Sequence, residues 1–184
     1  MSAELEVLQD IADRFERAGI AYMLTGSVAL SYYAEPRMTR DINLVVELAG
    51  RDPAQLAGMF APDYYISEAD VHRALQQHGM FNVLHLRKVV KIGLIVRKDD
   101  EYRRNEFSRR RKVRLDRLDA WIVSKEDLIL SKLAWAKPSM SKLQLDDVRK
   151  LLATGADTAY LRRWAPELSV AGMLEASLDG RHDT

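Results

Sequence analysis

The chain has no cysteine. That excludes disulfides, thiolate metal centres and Cys nucleophiles, and it makes a reducing, cytoplasmic setting the expectation. Long apolar runs are missing as well. Nothing approaches the roughly 18 consecutive apolar residues of a membrane helix. The opening stretch MSAELEVLQD is acidic and lacks the basic-then-apolar order of a signal sequence. No membrane partner is expected. Nor does one charge dominate: 28 Lys and Arg stand against 27 Asp and Glu, a formal net charge of +1. Whole-molecule electrostatics therefore favours no particular partner. Histidine is scarce, and His72, His78, His85 and His182 show no metal-ligand spacing, so they read as structural or surface residues. Internal repeats and low-complexity tracts are absent.

What is present suits one globular domain of 184 residues, 47% hydrophobic and 30% charged. AELEVLQDIADRFERAG carries Leu5, Leu8, Ile11, Ala12 and Phe15 at helical spacing, with Gly19 as its stop. IAYMLTG reads as a strand and SVALSYYA as a helix capped by Ser27. DINLVVEL is a strand, nearly continuous in apolar residues after Asn43 and so expected to be buried on both faces. DPAQLAGMF is a helix with Asp52 as cap and Pro53 in its first position, and EADVHRALQQHG is another. MFNVLHL and VVKIGLIV form a hairpin around Arg87 and Lys88, and RKVRL and AWIVS are two further strands. From Ser124 the pattern turns helical, through SKEDLILSKLAWAK, SKLQLDDVRKLLAT, DTAYLRRWAPEL and VAGMLEASL, and the terminal DGRHDT reads as loose. The expected class is α+β: a mixed β-sheet with flanking helices over residues 1–123, then a helical segment, 124–184, packed on it.

The chemistry concentrates in MLTGSVALSYYAEPRMTRDINLVV, residues 23–46. A Gly26-Ser27 turn before a helix offers backbone N–H donors and a positive dipole end to phosphate oxygens. Gly26 allows close backbone approach. Asp41 and Asn43, two apart on one strand, point to the same face. Each motif alone has a plainer reading, as a cap and turn, or as an aspartate paired with Arg37 or Arg40.

Taken in order, these segments resemble the nucleotidyltransferase superfamily, the polymerase-β-like fold. EPRMTRDINLVV, FSRRRKV and EDLILSKLAWAK, followed by QLDDVRKLL, resemble most closely the small bacterial nucleotidyltransferase-like proteins near the AbiEii toxin group. The resemblance spans nearly the whole chain and implies a nucleotidyltransferase-type sheet over 1–123. It implies an NTP ligand and, in an active enzyme, Mg²⁺ or Mn²⁺ held at the positions of Asp41 and Asn43. The reaction would be transfer of a nucleoside monophosphate to a hydroxyl. By the same resemblance Asp41, Asn43 and Lys132 take catalytic positions, and Gly26, Ser27, Arg40, Lys91, Gln144 and Asp147 nucleotide-binding ones. A toxin–antitoxin or phage-defence role, with an RNA or protein partner, is the alternative it implies.

The pattern breaks where the metal should sit. Relatives carry a second aspartate where this chain has Asn43 and a third where aligning Lys91 and Leu94 puts Gly93. Each missing carboxylate removes an attraction of about 4 kcal/mol per pair of unit charges at ~4 Å and an effective dielectric of 20. Glu47 shares the face of Asn43 but stands about 13 Å along the strand, and Asp99 and Asp100 lie at the far end of theirs. The expectation is a nucleotidyltransferase fold with an impaired metal site.

Two further features stand out. Residues 97–117 hold ten Lys or Arg against five Asp or Glu. This is either a phosphate-contacting segment centred on Arg109, Arg110 and Arg111 or a solvated helix with a charged edge strand. Trp135, Trp164 and Leu128 read as core.

Overall fold

The computed structural model describes residues 2–35 and 41–180. Helix α1 (Ala3–Arg17) is capped by Ser2 and buries Val7, Leu8, Ile11, Ala12 and Phe15. The chain then alternates β1 (Tyr22–Thr25), α2 (Gly26–Tyr33) and β2 (Asp41–Val46), followed by α3 (Pro53–Phe60), β3 (Tyr64–Ile66), α4 (Glu68–Gln77), β4 (Met80–His85) and β5 (Val90–Val96). Next come α5 (Glu101–Ser108), β6 (Arg111–Leu115) and β7 (Leu118–Ile122), and the other described elements are helices: α6 (Lys125–Ala136), α7 (Lys142–Ala153), α8 (Thr158–Trp164) and α9 (Ala171–Asp179). The class is α+β, with a mixed sheet, as the periodicities imply. Asp52 caps α3 ahead of Pro53, Ser124 caps α6, and β4 and β5 pair antiparallel as a hairpin.

Among the described residues the sheet has seven strands in the order β3-β4-β5-β2-β1-β7-β6. β2 lies between antiparallel β1 and parallel β5, near the middle, where strand ends are best held. Helix α1 packs across β2, β5 and β7. Ile42, Leu44 and Val46 of β2 and Ile92, Leu94 and Val96 of β5 are all buried. Two expectations need correction. β2 is not buried on both faces: Asp41, Asn43 and Val45 alternate with the buried residues and stand half-buried on an open face. Helix α2 is not capped by Ser27. It begins at Gly26, with Thr25 as its N-cap and no side-chain cap bond, because the turn is made by Gly26 itself at φ +69°. Strand β3, only three residues long, had no pattern of its own to betray it. Arg40, His182 and most of the terminal DGRHDT lie outside the described residues. No helix of the described chain is long and apolar enough to cross a membrane.

Candidate functional site

The open face of the sheet, the start of α2, and helices α5, α6 and α7 enclose a cleft of about 780 Å³. Register builds its floor. Residues paired across neighbouring strands point to one face, so Asp41 sits beside Lys91, Asn43 lies between Thr25 and Gly93, and Val45 sits beside Ile95. Beyond β5 the same rows continue to Asn82 and Met80 on β4. Along β2 the floor thus passes from one acid to a neutral polar row to an apolar row.

The middle row is interlocked. A Cβ placed on Gly26 would lie 2.8 Å from Nδ2 of Asn43, and one placed on Gly93 would lie 2.6 Å from its Oδ1. The Asn43 amide therefore fills the space between two glycines, and the Sδ of Met80 closes the other side of Gly93, 3.3 Å from the same Cβ position. Gly93 does face Asn43, where alignment put it. Asp41 forms an ion pair with Lys91, Nζ to Oδ2 3.2 Å, both side chains 51% exposed. Among the described residues no three His, Cys, Asp or Glu side chains gather into a metal-holding group. None of the distant acids fills the gap: Glu47 pairs with Arg97, Asp99 is held below the usual carboxylate range by hydrogen bonds from Arg104 and Arg97, and Asp100 caps α5.

The helical wall carries a different chemistry. Lys132 is wholly buried. Its Nζ donates to Oδ2 of Asp147 at 2.7 Å and to Oε1 of Gln144 at 3.2 Å. Lys132 and Gln144 line the cleft while Asp147 stands behind them. Beside them Glu106, 2% exposed, accepts from Arg103 at 2.8 Å and from Ser131 at 2.7 Å. Burial raises the Glu106 carboxyl above its ordinary value, opposed by Arg103 and Ser131.

Of the residues singled out in the sequence, the cleft brings together Gly26, Ser27, Asp41, Asn43, Lys132 and Gln144. Lys91 lies alongside through its pair with Asp41, and Asp147 positions Lys132. Trp135 is not core as expected. It is 36% exposed and lines the cleft, whereas Trp164 and Leu128 are buried. Arg103, Glu106 and Ser131 were missed; only the i, i+3 spacing of Arg103 and Glu106 within the basic segment hinted at a pair.

That segment is occupied within the fold. Arg109 donates to the fully buried Asp127 at 3.1 Å and lies 4.0 Å over the Tyr160 ring. Arg110 stacks between Phe107 and Trp121, at 4.3 and 5.0 Å, and Arg111 donates to the Tyr33 hydroxyl at 3.0 Å. Asp127, which reads as a plain first-turn acid, is instead a hub that also accepts from Ser124, Tyr160 and Tyr102. Of the described histidines, His85 is buried edge-on against Tyr64, His72 is exposed on α4, and His78, exposed at the cleft, has its Nδ1 2.9 Å from the Arg97 carbonyl oxygen.

The whole-chain architecture matches solved structures. The lincosamide antibiotic adenylyltransferase LnuA, bound to lincomycin, superposes with a TM-score of 0.57 at 13% identity, over 84% of this chain and 98% of that one. The fold is that of a nucleotidyltransferase. An antigenic nucleotidyltransferase-like protein from Paracoccidioides brasiliensis gives 0.56 at 16% identity over 92% of each chain. The antibiotic-resistance factor ANT(2'')-Ia gives 0.53 at 10% identity over 97% of this chain and 96% of that one. No family model and no curated protein matches the sequence.

Proposed function

We propose that this chain is a nucleotide-binding protein related to the enzymes that transfer a nucleoside monophosphate from an NTP to a hydroxyl acceptor, with its metal site dismantled. The observation that carries this reading is the Gly26–Asn43–Gly93 interlock. Mg²⁺ and Mn²⁺ require several hard oxygen ligands, chiefly carboxylates. Here one carboxylate, Asp41, is paired to Lys91. The second position offers a neutral amide wedged in place, and the third has no side chain, with the amide and a thioether in its space. These residues do not fit a pair of divalent ions.

What remains suits phosphate. The N-terminus of α2 opens on the cleft at Gly26 and Ser27, and Arg97, Lys98 and Arg103 line it. Loss of the metal donors with retention of the fold also favours the second reading, a regulatory module of a toxin–antitoxin or phage-defence pair. The resemblance of EPRMTRDINLVV, FSRRRKV and EDLILSKLAWAK to proteins near the AbiEii toxin group supports it.

Thermal unfolding with ATP, in EDTA and in excess Mn²⁺, tests the proposal. A ligand bound only by the folded state stabilises by about 2.7 kcal/mol at a hundredfold excess over Kd. The expected result is the same rise in Tm under both conditions. A rise that needs Mn²⁺ would overturn the dismantled-site reading. No response to ATP in either buffer would leave the regulatory module as the better account.

A further inference from the structure

Three large apolar side chains stand exposed among the residues of the cleft: Trp135 at 36%, Leu143 at 53% and Met80 at 56%. They come from separate elements. Trp135 is in the last turn of α6, Leu143 in the first turn of α7, and Met80 opens β4, where it continues the apolar row of Val45 and Ile95. Exposing such side chains costs the folded chain the burial they gain elsewhere, and three lining one cleft, from its floor and its helical wall, are a surface for apolar contact.

The charges along the cleft point the same way. Its lining acids are Asp41 and Glu106, and each is neutralised, by Lys91 and by Arg103. Its lining cations are Arg97, Lys98, Arg103 and Lys132. Among the described residues Lys98 is exposed and makes no ion pair. A polycationic ligand would find no uncommitted carboxylate here and would meet like charge. About 780 Å³ lies within the roughly 300–1,000 Å³ of small-molecule sites.

We propose that the cleft selects a small ligand by an uncharged ring system seated against Trp135, flanked by Leu143 and Met80, and rejects polycations. The ring is either the base of a nucleotide or part of a hydroxyl-bearing acceptor. The first case rests on the nucleotide reading above; the second does not. The flat indole face supplies stacking area at little entropic cost, while Met80, unbranched and polarizable, adapts to the ring edge.

Calorimetric titration with four probes tests this: inorganic triphosphate, ATP, phenyl β-D-glucoside with and without triphosphate, and the polycation kanamycin. Each is run on the wild type, Trp135→Ala and Trp135→Phe. A ring on an aromatic platform should strengthen binding by at least about fivefold. That gain should vanish in Trp135→Ala, survive in Trp135→Phe, and be absent for kanamycin. ATP exceeding triphosphate identifies the base as the ring; glucoside binding identifies an acceptor. Should triphosphate fail while the glucoside binds through Trp135, the phosphate reading falls and the ring site stands. Equal affinities in wild type and Trp135→Ala, no binding of either ring-bearing probe, or kanamycin as the tightest ligand would overturn the proposal. Should Trp135→Ala not fold, the wild-type Trp135 indole NMR resonance must shift on titration with ATP or the glucoside, and a static resonance also overturns it.

Discussion

A double-mutant cycle on Asn43 and Gly93 probes the interlock directly. In the native cleft, Gly93→Ala puts a methyl 2.6 Å from Oδ1 of Asn43 and 3.3 Å from the Met80 sulfur. The Met80 side chain is flexible and can move. The amide is less free, because its Nδ2 already lies where a Gly26 side chain would be, 2.8 Å from that Cβ position. Overpacking of this kind costs about 1–3 kcal/mol. Against it stands a gain of roughly 0.4–1 kcal/mol from replacing a strand glycine whose backbone a methyl tolerates. The expected outcome is net destabilisation by Gly93→Ala in the parent. In an Asn43→Ala background the obstructing amide is gone, so the same change should stabilise. The sign reversal is the signature, and the coupling energy should be about 1–3 kcal/mol, above the ~0.5 kcal/mol scatter of independent sites. Urea unfolding of all four proteins measures it, given unchanged m-values. Additivity within that scatter would refute the interlock and reopen Gly93 as an unoccupied ligand position.

Three further outcomes are expected. Asn43→Asp with Gly93→Asp sets two more carboxylates beside Asp41, so the metal-free variant should melt lower than the parent, by charge repulsion and by the crowding of the new residue-93 side chain against the isosteric residue 43, and Mn²⁺ should recover the repulsive part while leaving the parent unmoved; an equal Mn²⁺ response in both would mean the parent already holds metal. Lys132→Met should lower stability by roughly 3–5 kcal/mol, because it strands Asp147 as an uncompensated charge at 1% side-chain exposure, and adding Asp147→Leu should recover most of it; a Lys132→Met protein as stable as wild type would make the lysine a ligand-facing group instead. The native Glu106 carboxyl keeps its proton to higher pH than the 4.5 of an ordinary glutamate, so its contribution is full below that value and declines as pH rises through the raised one. Glu106→Gln should therefore flatten the Tm profile upward from pH 4.5, and an unaltered slope would contradict the burial effect.

Much of the fold was legible because its elements announce themselves locally. Asp52 and Ser124 cap the helices they precede, and the apolar spacing of α1 marks the face it buries. Residues 80–85 and 90–96 alternate or run apolar as hairpin strands do, and Trp164 and Leu128 are buried as their residue types suggest. The fold implied by the resemblance is the one seen in its structural neighbours. Trp135 was misjudged because helical period identifies a stripe but not what lies opposite it. Opposite Trp135 is a cleft rather than another helix.

The sequence by itself determined which residues are absent: there is no cysteine, and positions 43 and 93 hold asparagine and glycine rather than acids. It also determined the local elements, since caps, turns and hydrophobic period depend on neighbours a few residues apart. Only the tertiary structure decided which side chains are already committed. Arg109, Arg110 and Arg111 form a dense positive run in the sequence, yet each finds its partner 18 or more residues away or in a ring stacked from another element, at Asp127, Trp121 and Tyr33. Lys132 could be taken for a free cation until α7 laid Asp147 against it. Charge is a property of the residue, but its availability depends on what long-range packing brings within about 3 Å, the reach of a hydrogen bond.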